Sequence, residues 1–135
     1  MLSQKAKYAL RALQALARAE QGQPCQIADI AKHQHVPRKF LELILVDLKR
    51  AGLVRSIRGR HGGYQLAKPA REIRYGMVIR LIDGPLANVA CASQTAYRPC
   101  KDCQDEKTCS IHRLMCQVRE QVATILDNAT LADNP

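Results

Sequence analysis

The chain is 135 residues long, 47% hydrophobic and 24% charged, with 21 Lys and Arg against 12 Asp and Glu and a formal net charge of +9. That length suits one compact domain with an appended element, and the apolar share excludes a disordered tail. No apolar run reaches the length of a membrane span, and Met1-Leu2-Ser3-Gln4-Lys5 leads straight into a charged helical pattern without a signal-peptide block, so a cytoplasmic location and no membrane partner are expected.

Ser3 is a candidate N-cap for a first helix running to about Ala19, in which Ala6, Leu10, Leu13 and Ala17 recur at helical spacing on one face. Glu20-Gln21-Gly22-Gln23-Pro24 breaks it. A second short helix is predicted over about 27–32, with Ile27, Ile30 and Ala31 inward, followed by the turn His33-Gln34-His35-Val36. Pro37 then opens a third helix at its favoured first-turn position. Leu41, Ile44, Leu45 and Leu48 form its apolar stripe, and Ala51-Gly52 ends it with Gly52 in the C-cap role. Two helices joined by a short turn, over about 27–51, make a helix-turn-helix outline.

Leu53 to Arg58 alternates like a strand, Gly59-Arg60-His61-Gly62-Gly63 reads as a turn, and Tyr64-Gln65-Leu66 resumes the strand until Lys68-Pro69. A hairpin over about 54–66 directly after a helix-turn-helix is a wing. Ile73 to Ile82 is a further predicted helix, closed by Asp83-Gly84-Pro85. Residues 86–108 show no period and hold Cys91, Cys100 and Cys103. Thr108 is expected to cap a long last helix to about Ala129, along which Ile111, Met115, Val118, Val122, Ile125 and Ala129 follow a heptad rhythm. The predicted fold class is mainly α with a small β-hairpin: a winged helix-turn-helix over 1–83, a cysteine-rich sensor loop over 84–108, and a C-terminal helix and tail over 109–135 that would serve dimerisation.

Charge divides along the same line. Residues 1–83 carry 16 Lys and Arg against 6 Asp and Glu, whereas residues 84–135 carry 5 against 6. Basicity confined to the helix-turn-helix part is what phosphate neutralisation by a DNA reader requires, so double-stranded DNA is the expected partner. The third helix presents Arg38, Lys39 and Glu42 near its N-terminus, the end that enters the major groove in such proteins. Arg38 and Lys39 can hold phosphates or guanine edges. Glu42 is either an ordinary solvated residue or an acceptor for cytosine N4. In the wing, Arg58, Arg60 and His61 surround three glycines that would let the backbone approach the duplex, with arginines suited to the minor groove. A nucleotide-phosphate loop fits poorly, since the lysine and following helix it needs are missing.

Six cysteines are present, and five of them, Cys91, Cys100, Cys103, Cys109 and Cys116, fall within 26 residues. In a reducing compartment such clustering points to metal ligation or redox chemistry before structural disulfides. The pair Cys100-x-x-Cys103 is followed by Cys109 and His112, and Cys91 can fold back from upstream. Thiolates with an imidazole suit zinc or iron–sulfur iron, so the candidate ligands are Cys91, Cys100, Cys103, Cys109 and His112. His112 is alternatively a partly exposed helix residue. Cys25 and Cys116 are read as structural, Cys116 as a small packed residue.

Across essentially its whole length the sequence resembles the dimeric winged-helix regulators typified by IscR, NsrR and CymR. The resemblance rests on Leu2-Ser3-x-Lys5-x-x-Tyr8-Ala9-Leu10, Ile27-Ala28-Asp29-Ile30-Ala31, Phe40-Leu41-Glu42 and Leu48-x-x-Ala51-Gly52-Leu53-Val54, and most specifically on Arg58-Gly59-x-x-Gly62-Gly63-Tyr64-x-Leu66. It implies a homodimer held by the last helix on a roughly palindromic operator. It also implies Glu42 and Arg58 as site-discriminating residues. Cys91, Cys103 and Cys109 match the three cluster cysteines and His112 the fourth ligand, with [2Fe–2S] favoured over [4Fe–4S].

Eleven residues separate Cys91 from Cys103, a longer loop than in IscR-like members, and it contains the extra Cys100. Either Cys91 or Cys100 is then the third thiolate, or all four cysteines bind and His112 does not. A carboxylate from the partner's first helix, which some relatives use, has no counterpart among Lys5, Lys7 and Arg11.

The reading is therefore a non-enzymatic regulator, expected to repress, whose operator affinity depends on a cysteine-held cluster. Alternatives are a structural zinc site on Cys100, Cys103, Cys109 and His112, or a metal-free thiol–disulfide switch. More remote is a thiol oxidoreductase on Cys100-x-x-Cys103, for which no βαβ frame is visible.

Overall fold

Ser3 starts the first helix, α1 (Gln4–Arg18): its Oγ accepts the Ala6 N–H at 3.0 Å and so satisfies one of the donors that a helix start leaves unpaired. The computed structural model describes residues 2–20 and 23–133; Gln21 and Gly22 of the expected helix break, together with Met1, Asn134 and Pro135, lie outside the described residues. Helix α1 buries Ala6, Ala9, Leu10, Ala12, Leu13 and Leu16, a wider stripe than predicted, while Ala17 stays at its edge. The Ser3 N–H donates to Asp83 Oδ2 at 2.9 Å and its hydroxyl to Asp83 Oδ1, tying the start of α1 to a helix far along the chain.

Helix α2 (Ile27–Gln34) runs two residues past its predicted end and fully buries only Ile30, with Ile27 and Ala31 packed at the core's margin. His33 and Gln34 are helical rather than part of the turn. The turn begins at His35, which adopts a left-handed φ of 54° and donates its N–H to the Ala31 carbonyl, a closure that satisfies the helix end. Pro37 precedes the third helix as its N-cap instead of occupying its first position. Helix α3 (Arg38–Arg50) buries Leu41, Ile44, Leu45 and Leu48 completely, as the stripe requires. Gly52, at φ 76°, turns the chain out of it.

The wing is a two-stranded antiparallel hairpin, β1 (Val54–Ile57) and β2 (Gly63–Leu66), in register Val54↔Leu66 and Ile57↔Gly63. The first strand is shorter than predicted at both ends. Leu53 is fully buried and donates its N–H to the Leu48 carbonyl, and Arg58 lies beyond the last rung. On the other side of β2, Cys25 and Tyr64 exchange both backbone hydrogen bonds, at 2.8 and 2.7 Å. This bridge fastens the segment before α2 to the wing. It also explains Gly63, whose φ is 145° and whose missing Cβ would run into the Cys25 carbonyl. A Cβ at Gly62 would strike the Ile57 carbonyl in the same way.

After a single 3-10 turn at Ala70–Glu72 comes α4 (Tyr75–Asp83), two residues later than predicted because Ile73 is extended and fully buried. The Ile73 carbonyl accepts the Leu131 N–H at 3.0 Å, and the Ala129 carbonyl accepts the Tyr75 N–H at the same distance. The C-terminal tail thereby re-enters the winged helix, where Leu131 is wholly buried in the core with Leu13, Leu48, Leu53, Val54 and Val78. Two more 3-10 turns, Ala90–Ala92 and Glu106–Thr108, interrupt the cysteine-rich stretch.

The last helix, α5 (Ser110–Asn128), is capped not by Thr108 but by Cys109, whose Sγ accepts the His112 N–H at 3.4 Å. Thr108 instead closes the preceding turn, which Asp105 caps. Helix α5 buries none of its residues fully, and Ile111, Leu114 and Ile125 are more than half exposed. It is held at its far end by a two-pronged ion pair from Arg80 to Asp127, at 2.7 and 2.9 Å. Gly76 permits that approach, since a Cβ there would fall on Asp127 Oδ1. No helix among the described residues is long and apolar enough to cross a membrane.

Two substitutions test these couplings. Gly63→Ala forces a left-handed φ on a residue with a Cβ and pushes it against Cys25; a loss on the order of 1–3 kcal/mol in urea unfolding is expected. Arg80, by hydrogen bond and charge, holds the Asp127 carboxyl below its ordinary value of 3.8. Its stabilising effect is therefore present above that value and lost as pH falls through the lowered folded-state value. Asp127→Asn should cost about 1 kcal/mol or less at neutral pH, and the gap between variant and parent in urea midpoints should close in acid below about pH 4. A gap that does not depend on pH would exclude the ion pair as its source.

Candidate functional site

Because α3 spends Leu41, Ile44, Leu45 and Leu48 on the core, its opposite face is fixed as the exposed one, and Arg38, Lys39 and Glu42 all lie exposed on its first two turns. Arg38 Nε stands 3.5 Å from Glu42 Oε1 in an i, i+4 pair whose members are both at least half exposed. Such a pair contributes only a few tenths of a kcal/mol, so both groups are available to another partner at about that cost. Two residues on this helix escaped the sequence reading: Leu43 and Val46 are 63% and 42% exposed, apolar surface beside Glu42. The signal for them was already there, as apolar positions outside the inward stripe. The helix is anchored by Lys5 Nζ on Asp47 at 2.8 Å and by Lys49 Nζ on Ser56 Oγ of β1 at 2.9 Å.

At the hairpin tip Arg58, Arg60 and His61 are all exposed. The tip is closed by the Gly62 N–H on the Gly59 carbonyl at 3.0 Å. Of the three wing glycines only Gly59, at φ 110°, faces open space; Gly62 and Gly63 are demanded by the hairpin's own packing.

The cysteine-rich stretch folds over the N-terminal end of α5 and encloses a cavity of about 420 Å³ whose wall includes Cys91, Cys100, Cys103, Cys109 and His112. All five predicted ligands thus meet at one place. Cys91 is buried and central: its Sγ lies 3.9 Å from Cys100 Sγ and 3.5 Å from His112 Nδ1. Cys100 and Cys103 are exposed, and Cys109 is half-buried with its sulfur turned to the α5 cap. Among the described residues no three His, Cys, Asp or Glu side chains stand close enough together to hold a metal ion. The donors are gathered around a common space rather than converged on a point.

Several neighbours of this cavity were not foreseen. Glu106 Oε1 is 3.6 Å from His112 Nε2, and its other oxygen accepts the Tyr97 hydroxyl at 2.6 Å. That hydrogen bond raises the Tyr97 pKa to about 12. Cys116, expected as a small packed residue, is half-buried with its sulfur 3.6 Å from His112 Nε2. The i, i+4 spacing of His112 and Cys116 puts them on one helix face; the Tyr97–Glu106 link, made by two loop residues, had no periodic signal. Arg119 reaches back from α5 to the Ala92 carbonyl and so pins the loop to the helix. Removal from water, and then the hydrogen bond with Cys100, pushes the Cys91 thiol above its ordinary pKa. Removal from water and the neighbouring Cys109 push Cys103 up as well. Thiols of this kind bind a metal only by releasing protons, and soft donors in this number fit iron or zinc in kind.

The Rrf2 family, described as iron-dependent transcriptional regulator, matches residues 2–134. The chain is 45% identical over 136 residues to an rrf2-like helix-turn-helix-type transcriptional regulator of Rhodobacter capsulatus, across 98% of this chain and 91% of the relative. It is 34% identical over 132 residues to the helix-turn-helix-type transcriptional regulator IscR of Serratia proteamaculans, across 98% and 77%. Among solved structures, CymR, the global cysteine regulator of B. subtilis, matches with a TM-score of 0.81 and 31% identity over 98% of this chain and 94% of that one.

Proposed function

The chain belongs to the Rrf2 family of transcriptional regulators, winged-helix DNA-binding proteins rather than enzymes, and from that premise we propose a cytoplasmic homodimeric repressor whose operator affinity is set by a cysteine-held iron–sulfur cluster. The observation that carries the sensing part is the meeting of Cys91, Cys100, Cys103, Cys109 and His112 around one cavity. Cys91, Cys103, Cys109 and His112 would hold the cluster, a [2Fe–2S] one. When bound, it supplies a cross-link between loop and helix that iron shortage or oxidation removes.

The protein's own residues convert that cross-link into an effect on DNA. The loop is pinned to α5 through Arg119 and Ala92. Helix α5 is fastened to α4 through Asp127 and Arg80, and its tail enters the winged-helix core at Leu131. A change in loop order therefore acts on the joint between the DNA reader and α5. The exposed Ile111, Leu114 and Ile125 of α5 suit a second copy of the chain, which would set the distance between two α3 helices. Dimeric readers need half-sites at fixed helical-turn spacing, so a small change in that joint alters affinity. On each half-site Arg38 and Lys39 would hold phosphates or guanine, Glu42 would accept from cytosine N4, and Arg58, Arg60 and His61 would enter the minor groove.

Protein purified without oxygen should contain iron and acid-labile sulfide and absorb in the visible region, and removing the cluster should change operator affinity at constant salt. Unchanged affinity would end the sensing claim, and zinc without colour would replace it with a structural site on Cys100, Cys103, Cys109 and His112. For base reading, Glu42→Ala should lower discrimination at one base pair of each half-site by about 1–3 kcal/mol while leaving non-specific binding equal or tighter. Selection from a random DNA library by both proteins checks it.

A further inference from the structure

We propose that Cys91 and Cys100 are a redox pair: with the cysteine loop free of metal, peroxide joins them in an intrachain disulfide that blocks reloading until a thiol reductant opens it. This rests on the cluster reading above only for what the disulfide regulates. The bond itself follows from the juxtaposition of two sulfurs. Of the cysteines lining the cavity, Cys100 is the one for which the ligand set of Cys91, Cys103, Cys109 and His112 has no place. Yet its Sγ is 3.9 Å from Cys91 Sγ, the one thiol–thiol hydrogen bond among the described residues.

The stretch between them is shaped to hold the pair together. The Arg98 N–H donates to the Ala90 carbonyl at 3.2 Å, closing the loop just inside Cys100. The Ser93 hydroxyl accepts the Ala96 N–H at 2.9 Å and orders the turn between. A disulfide needs the sulfurs about 2.05 Å apart, so each must move by about 1 Å, within the reach of side-chain rotation. Closing a short, already ordered loop adds little entropic cost. The other candidate, Cys100 with Cys103, shares a backbone hydrogen bond of 3.2 Å but no sulfur contact.

Exposure assigns the order of events. Cys100 is exposed and meets the oxidant, whereas Cys91 is 8% exposed and does not. The Cys100 sulfur attacks one peroxide oxygen, the O–O bond breaks, and the departing hydroxide takes up the thiol proton as water, leaving a sulfenic acid. The Cys91 sulfur then attacks Cys100 Sγ; an S–S bond forms, the S–O bond breaks, and the second hydroxide leaves as water with the Cys91 proton. Two thiols and one hydrogen peroxide thus give one disulfide and two waters. Exchange with two equivalents of a small thiol reverses it.

The test uses the full-length protein, stripped of metal without oxygen and treated with one equivalent of hydrogen peroxide. Trypsin does not cut between Arg98 and Pro99, so Cys91 and Cys100 stay on one peptide, residues 81–101, whereas Cys103 and Cys109 fall on others. Peptide 81–101 should lose the mass of two hydrogens and resist alkylation until reduced. Oxidised parent protein should take up iron and sulfide only after dithiothreitol, and Cys100→Ser, treated alike, should take them up without it. A peptide cross-link to Cys103 or Cys109, or sulfenic acid without any disulfide, overturns the proposal. So does a Cys100→Ser protein that never holds iron, because Cys100 would then be a ligand. If the untreated parent protein carries no iron, the cluster reading fails, and the peptide masses alone decide for or against the pair.

Discussion

Burial of Leu41, Ile44, Leu45 and Leu48 against α1 is the constraint from which the exposed face of α3 follows, because a helix that commits one face to the core has no choice about the other. Each of these leucines and the isoleucine is wholly enclosed, and deleting such a side chain costs about 2–5 kcal/mol, far more than any contact the exposed face makes with the protein. Arg38, Lys39, Glu42 and Leu43 are consequently presented to solvent by the packing behind them. The ion pairs around them, Lys5 with Asp47 and Arg38 with Glu42, are surface contacts of small value that adjust the helix without deciding its orientation.

Helix α5 obeys the opposite rule. It buries nothing fully but is half-buried from His112 to Asp127, with Cys109 capping its start, Arg119 at mid-helix on the Ala92 carbonyl, and Asp127 and Leu131 tied to the winged helix. Its exposed isoleucines and leucine are apolar area that water disfavours at roughly 25 cal/mol per Å².

The cysteine cavity combines soft donors with a loop built mainly from short-range turns, those at Ser93, Asp105 and Cys100–Cys103. Such turns are locally stable and cheap to rearrange together. Removal from water and the neighbouring Cys100 hold the Cys91 thiol above its ordinary pKa, so a metal cation binds it only by displacing its proton.

The sequence by itself determined the elements whose signals are local. The stripe of α3, the Ser3 cap, the glycine-punctuated wing, the basic charge of residues 1–83 and the gathering of cysteines near His112 were all legible, because periodicity, capping chemistry and charge act within a few residues. What it could not determine were features made by residues far apart in the chain. The buried return of Leu131 beside Ile73, the Cys25–Tyr64 bridge that makes Gly63 obligatory, and the facing of Cys91 and Cys100 are of this kind. Cys109 capped α5 in place of Thr108 because Asp105 had already drawn Thr108 into a turn of its own. Local preference names the candidates for each role; which of them takes it is settled by the neighbours that only tertiary packing brings within hydrogen-bond reach.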